Sequence, residues 1–304
     1  MVLCDLLLPG APRSFAEELS ATAKPVGHIA NEPTIPLPYQ WPSEPVLTGE
    51  QGVVTAPKPV GCPGPILDPT PGAKSTKYTG GVTAVCAGSS AFPGAGILAA
   101  TGAVRATPSM VRVVGNDSVT TSLPEVVPHA SAQEKVHAQA WVIGPGRGTD
   151  PEAAAELRAV LKRGLPTIID ADALTVLSTY GDLRELVRDH PCAVLTPHAG
   201  EFERLYKATL GRELDLSEGL EIRLQELASA LDCFVLHKGR ITTVTGPGQD
   251  IYGMNAGHSY AATAGSGDVL SGILGATLAQ LDIVEVSAET IIMEILHAAA
   301  IHQH

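Results

Sequence analysis

An aspartate behind a glycine-rich turn is the residue with the clearest chemical potential in this chain. In ATAGSGDVLSGILGATLAQ (262–280), Ala264-Gly265-Ser266-Gly267 runs into an apolar helical stretch whose first turn carries Asp268. Free N–H groups at a helix start, aided by the helix dipole, bind anions. Glycines let the backbone close around phosphate oxygens. A carboxylate among those donors does not bind phosphate, but it can take the proton from a hydroxyl about to accept one. The plainer reading is that Asp268 only complements the helix dipole.

Other polar segments invite a paired reading. In HKGRITTVTGPGQ (237–249), Lys238 ends a strand and Gly239 and Arg240 turn the chain into the next one. The lysine either reaches nucleotide phosphates or decorates a hairpin. In AVLTPHAGEFERL (193–205), Thr196, His198 and Glu201 stand where a strand ends and a helix begins. His198 either orients a substrate or caps the helix, with Glu201 supporting the first turn. GPGRGTD (144–150) offers close backbone approach at Gly146 and Gly148. In DADAL (170–174), Asp170 and Asp172 hold a metal through water or stabilise a turn; the spacing assigns no direct metal ligand. The stretch 80–105 has a strand–loop–helix order with Gly88 and Gly94. It lacks GxGxxG spacing and an acidic residue about 20 positions on, which disfavours a hydride-transfer site.

These segments need a scaffold that brings strand ends together. The 304 residues are 44% hydrophobic and 17% charged, a globular composition. Short apolar runs at 82–87, 110–114, 140–144, 166–170, 193–197 and 233–237 alternate with helical stretches at 94–105, 151–163, 217–231, 268–280 and 285–302. Strands apolar throughout, joined by helices, predict an α/β fold: a mostly parallel sheet with helices on both faces. Such sheets bind ligands at the carboxyl ends of their strands, where the polar segments lie. Fourteen of the 24 prolines fall within residues 1–71. That stretch is expected to be an arm or linker (1–73), with at most a short helix near 13–22, ahead of a globular domain at 74–304.

Charge and cysteine content narrow the partners. Twenty basic against 32 acidic residues give −12, which argues against nucleic acid or an anionic membrane. Cys4, Cys62, Cys86, Cys192 and Cys233 are scattered and suit a reducing compartment. The opening MVLCDLLLPG lacks a basic segment and does not read as a signal peptide. A cytoplasmic location is expected.

Taken in order, KYTGGVTAVCAGSSAFPGAGILAATGAVR, GPGRG, DADAL, LTPHAGEF, HKG and ATAGSGDVLSGILGATLAQ resemble the NAD(P)H-hydrate dehydratases, of the ribokinase-like superfamily. The resemblance covers about residues 74–300. It implies repair of NADH or NADPH from the (6S)-hydrate at the expense of ADP or ATP, with Mg²⁺ accompanying the phosphates. It implies contacts from Ala95, Gly146 or Gly148, His198 and Asp268 to the hydrate, with Asp268 as catalytic base. It implies nucleotide contacts from Lys238, Gly239, Arg240, Ile241, Thr242, Gly265, Ser266 and Gly267, and a homo-oligomer, tetrameric by the same resemblance. Ala264 stands where many members have glycine. The arm is too short for the epimerase domain that many bacterial members carry and reads as a remnant of one. The chain stops within its last expected helix, HAAAIHQH, and reads as truncated there. The runner-up is a small-alcohol kinase of the same fold, similar to hydroxyethylthiazole kinase; a degenerate nucleotide-binding protein is the non-enzymatic alternative.

Overall fold

The computed structural model describes residues 70–107, 109–217, 219–255 and 259–303, with short strands at 46–47, 53–54 and 58–59. The helix expected near 13–22 lies outside the described residues. Val46–Leu47 (β1) and Val53–Val54 (β2) pair antiparallel. Lys58–Pro59 (β3) begins the main sheet, followed by Thr83–Cys86 (β4), Val111–Val114 (β5), Val127–His129 (β6) and Ala140–Ile143 (β7). Thr167–Ile169 (β8), Ala193–Leu195 (β9), Phe234–His237 (β10), Thr242–Thr245 (β11) and Tyr252–Met254 (β12) complete it.

The ten strands run in the order β3-β12-β11-β10-β9-β8-β7-β4-β5-β6. Every neighbouring pair is parallel except β10–β11 and β11–β12. The α/β fold expected from the apolar runs is therefore the one formed. β3 lies upstream of residue 74 and pairs in parallel with β12 through Tyr252 and Gly253. Part of the proline-rich stretch thus contributes backbone to the sheet edge, where a proline is tolerated.

The strands are apolar on both faces because both are covered. Ala84, Cys86, Trp141, Ile143, Ala193 and Leu195 pack into one core, whereas Val85, Ala87, Val142, Val194 and Leu236 pack into another. This alternation is the period of two that a strand imposes. The first core is closed by Pro151–Leu161 (α3), Asp172–Thr179 (α4), Gly181–Arg188 (α5), Ala199–Leu210 (α6) and Leu220–Leu231 (α7). The second is closed mainly by Pro93–Ala106 (α1), Ser266–Leu278 (α8) and Ala288–Gln303 (α9), with Val119 of the short helix Asp117–Ser122 (α2).

Local signals explain some helix ends. Asp150 caps α3 by accepting from the Ala153 N–H at 2.9 Å, and Pro151 occupies the first turn, where its missing N–H costs nothing. Helix α7 starts at Leu220 rather than at the expected 217. Helices α2, α4 and α5 and strands β6 and β12 were not expected. They are short, and their periodicity is too brief to stand out in sequence.

Candidate active site

Parallel strands β4, β7, β8, β9 and β10 end on the same side of the sheet, and each strand end delivers a polar segment there. Asp170 follows β8 and is only 1% exposed. Its two oxygens are both engaged: Oδ1 accepts from Lys238 Nζ at 2.6 Å and Oδ2 from Ser271 Oγ at 2.7 Å. Lys238, at the end of β10, is thus paired with a buried carboxylate and is not a free hairpin tip. Gly267 lies between these groups, since a Cβ placed there would sit 3.3 Å from Lys238 Nζ and 3.8 Å from Asp170 Oδ2. The adjoining residue is Asp268.

The turn before α8 explains how Asp268 is presented. Gly265 has φ +82° and enters α8 without a side-chain cap, so the first-turn amides lack intrahelical acceptors. The left-handed backbone falls on Gly265, and Ala264 is not forced into it. Burial, and next the Asp170 carboxylate, push the Asp268 carboxyl up to about 6, with Asp172 adding to the rise and Lys238 opposing it. A base titrating there is ionised at neutral pH yet retains affinity for a proton.

Two regions adjoin Asp268. A cavity of about 440 Å³ is lined by Lys238, Gly239, Arg240, Thr242, Ser266 and Gly267, together with residues of 259–262, Leu270, His302 and Gln303. Six of the eight residues expected to hold a nucleotide therefore share one cavity; Ile241 and Gly265 flank its lining. Facing α1, a Cβ on Gly265 would collide with Leu98 Cδ1, and one on Gly146 would come within 2.8 Å of Ala95 Cβ. The first turns of α1 thus touch both the β7 loop and the Asp268 turn. Gly148 donates its N–H to Asp172 Oδ2 at 2.8 Å, which ties that loop to the start of α4.

His198 joins this assembly by a different route. Its backbone forms a parallel bridge with Lys238, whose N–H donates to the Pro197 carbonyl at 2.9 Å. The ring is the N-cap of α6: Nδ1 accepts from the N–H groups of Gly200 at 3.0 Å and Glu201 at 3.4 Å, while Glu201 Oε2 accepts from the His198 N–H. Because Nδ1 accepts, the neutral ring carries its proton on Nε2, 3.4 Å from Glu201 Oε1. The capping role is therefore realised, and the half-exposed ring still lies beside the cluster.

Sequence reasoning missed three residues here. Arg147 pairs with Glu156 and donates to the carbonyls of Gly88 at 2.8 Å and Gly115 at 3.1 Å, locking the loops after β4, β5 and β7 together. Nothing in GPGRG reveals that pairing. His302 and Gln303 come from the last turn of α9, more than 30 residues beyond the glycine turn. His302 Nε2 lies 2.8 Å from both the Oγ and the carbonyl oxygen of Ser266. The carbonyl can only accept, so Nε2 bears the hydrogen. Gln303 Nε2 donates to Thr242 Oγ1 at 2.8 Å. Among the described residues, Cys86 and Cys192 play no comparable part: burial pushes their thiols up to about 12. Among the described residues no group of three or more His, Cys, Asp or Glu side chains is placed to hold a metal.

The model of the NAD(P)H-hydrate dehydratase family matches residues 83–303. The chain belongs to the NAD(P)H-hydrate dehydratase family. It is 46% identical over 227 residues to the bifunctional NAD(P)H-hydrate repair enzyme Nnr of Corynebacterium glutamicum, covering 71% of this chain and 38% of that protein. It is also 34% identical over 215 residues to the ADP-dependent (S)-NAD(P)H-hydrate dehydratase of Neisseria meningitidis, covering 68% of this chain and 72% of that one. The chain thus spans less than half of the bifunctional relative. Among solved structures, the ADP/ATP-dependent NAD(P)H-hydrate dehydratase of Bacillus subtilis, co-crystallised with ATP/Mg²⁺, matches with TM-score 0.61 and 25% identity, over 77% of this chain and 82% of that one. A ribokinase-like superfamily protein of Enterococcus faecalis matches with TM-score 0.63, at 25% identity, over 77% and 81%. The family's ribokinase-like fold is the one described above.

Proposed function

We propose that this chain dehydrates the (6S)-hydrate of NADH or NADPH, using ADP or ATP to turn a hydroxyl into a leaving group. The observation that carries this reading is the position of Asp268: it follows Gly267 at the rim of the nucleotide-sized cavity, and a Cβ on Gly265 would lie 4.0 Å from its Oδ2 and against Leu98 of α1. Hydroxide leaves poorly. Asp268 would take the proton of the C6 hydroxyl as that oxygen attacks the terminal phosphorus of the nucleotide. The bond from phosphorus to the nucleotide's bridging oxygen breaks, and the nucleotide departs one phosphate shorter. The ring nitrogen lone pair then expels phosphate from C6, and loss of the N1 positive charge by deprotonation at C5 restores the dihydronicotinamide.

Most of the protein's contribution is positioning and charge. Lys238, Arg240 and the amides opening α8 would take the phosphates. Ala95, Gly146, Gly148 and His198 would line the hydrate side. Ile241 and Gly265 would shape the turns around the nucleotide. Mg²⁺ fits here as a companion of the phosphates rather than the occupant of a protein cage. Both oxygens of Asp170 are already engaged, by Lys238 and Ser271, so phosphate oxygens and water would hold the ion. It would neutralise phosphate charge.

The catalytic unit in this reading is residues 74–304, with 1–73 as arm. Deleting 1–70 also removes the β3 pairing, and unchanged melting would support that boundary. A cytoplasmic homotetramer without nucleic-acid or membrane partners completes the proposal; among the described residues no helix is long and apolar enough to cross a membrane. The test is to mix purified protein with NADH hydrate and each nucleotide and follow the absorbance of the intact dihydronicotinamide. Recovery with free phosphate supports the reading. A stable phosphate ester would indicate a kinase, and no turnover with either nucleotide would refute it.

A further inference from the structure

The geometry points to Asp170 as a positioning residue that holds Lys238 at the nucleotide cavity. The proposal rests on the dehydratase reading for its substrates but not for its measurements. Asp170 is fully enclosed at the end of β8, with Lys238 Nζ at 2.6 Å and Ser271 Oγ at 2.7 Å. A buried carboxylate is retained only where partners compensate its desolvation, and here both partners belong to elements of the site. Lys238 comes from the β10–β11 turn and Ser271 from α8, one turn after Asp268. Asp170 therefore fastens the two turns to each other across Gly267, whose Cβ position lies within 4 Å of both Lys238 Nζ and Asp170 Oδ2.

The arrangement separates reach from direction. A lysine on four flexible carbons can place its ammonium in many positions, and a fixed carboxylate removes most of them. With Nζ held at Gly267, the cation is aimed at the cavity lined by Gly239, Thr242 and Ser266. The same pair acts on Asp268. The charged groups facing Asp268 are Asp170, which raises its proton affinity, Lys238, which lowers it, and Asp172 at the start of α4, which raises it. Removing either member of the pair must therefore move Asp268 in opposite directions. A role confined to filling space moves it in neither.

Asp170→Asn, Lys238→Met and the double variant test this. Two readouts need no turnover: ADP binding by calorimetry, and titration of the Asp268 carboxyl by ¹³C NMR. Asp170→Asn is expected to weaken ADP binding about tenfold or more, the scale of a lost charge-assisted hydrogen bond, and to shift the Asp268 titration to lower pH. Lys238→Met is expected to weaken ADP binding similarly and to shift that titration to higher pH. In the double variant ADP binding should be no weaker than in Lys238→Met alone, because Asp170 acts on the nucleotide through the lysine. If Asp170→Asn does not fold, Ser271→Ala should still loosen the anchor and weaken ADP binding to a smaller degree, and Lys238→Met remains readable. Additive losses in the double variant, or shifts of Asp268 in one direction for both single variants, would overturn the proposal. Absence of dehydration with normal ADP binding and these opposed shifts would instead overturn the functional reading and leave Asp170 in place.

Discussion

The two faces of the sheet are built on different principles. Under α3 to α7 the core is made of volume: Trp141, Phe202, Tyr206, Leu157 and Leu205 are all essentially inaccessible. On the other face α1 and α8 approach almost backbone to backbone. A Cβ on Gly102 would strike the Val269 carbonyl, and one on Gly272 the Ala99 carbonyl. Large side chains can rearrange around a lost neighbour, whereas two backbones in contact have nothing to rearrange. The site is carried by the second kind of face. Asp268 sits on α8, and Ala95 and Leu98 sit on the helix that α8 touches, so glycine contact between the helices fixes the two sides of the cleft relative to each other.

The largest effect is expected at Asp268 itself. Asp268→Asn keeps shape but removes the base, and turnover should fall by roughly two to four orders of magnitude, with nucleotide binding largely retained. In the parent, kcat/KM should rise as pH passes through about 6, where Asp268 ionises. Stability should run the other way. The folded carboxyl binds its proton more tightly than an unfolded aspartate, near pH 4. Its contribution is then fully present below about pH 4 and is lost as pH rises through 6. The Asn variant should therefore gain stability over the parent at neutral pH and lose that advantage in acid. Melting curves at pH 4 and pH 7.5 read this directly, and an active Asn variant would remove Asp268 from the mechanism.

The two faces should then answer differently to packing changes. Leu157→Ala, on α3, should cost about 2–5 kcal/mol of stability and leave kcat per folded molecule unchanged. Gly272→Ala should cost about 1–3 kcal/mol, the range for overpacking, and should also lower kcat, because α1 and α8 must part. Denaturant unfolding paired with kinetics on the folded fraction separates these outcomes. If Gly272→Ala loses stability and no activity, helix contact does not set the cleft.

The same contrast governs how much could be read beforehand. The parallel sheet was legible because burial on both faces writes continuous apolar runs such as AVLTP and CFVLH. The glycine turn at 264–267 and the Lys238 turn were legible because special backbone needs leave glycines in sequence. What stayed hidden depends on distance across the fold. Asp170 looked like half of a turn motif or a residue that holds a metal through water, and only the sheet order, with β9 alone between β8 and β10, brings it to Lys238. His302 and Gln303 reach the cavity from a helix whose sequence is merely apolar. Arg147 holds three loops through two carbonyls that any residue could supply. Partners of this sort share no local pattern.

The smallest expected effect is at His198, and it tests whether a residue can serve both the frame and the ligand. The ring caps α6 through Nδ1, and a lost cap costs about 1 kcal/mol. A cap alone predicts that His198→Ala lowers stability by this amount and changes no Michaelis constant. A cap that also faces the hydrate predicts the same stability loss and a higher KM for the hydrate, with that for ADP or ATP little changed. His198→Asn distinguishes the two, because asparagine is itself a strong N-cap: stability should return while the hydrate KM stays raised. KM reports binding only if substrate leaves faster than it reacts, so each variant should also be titrated with the hydrate in the absence of nucleotide. A rise in nucleotide KM instead would place His198 with Lys238, its backbone neighbour, and move the boundary between the two ligand regions by one strand.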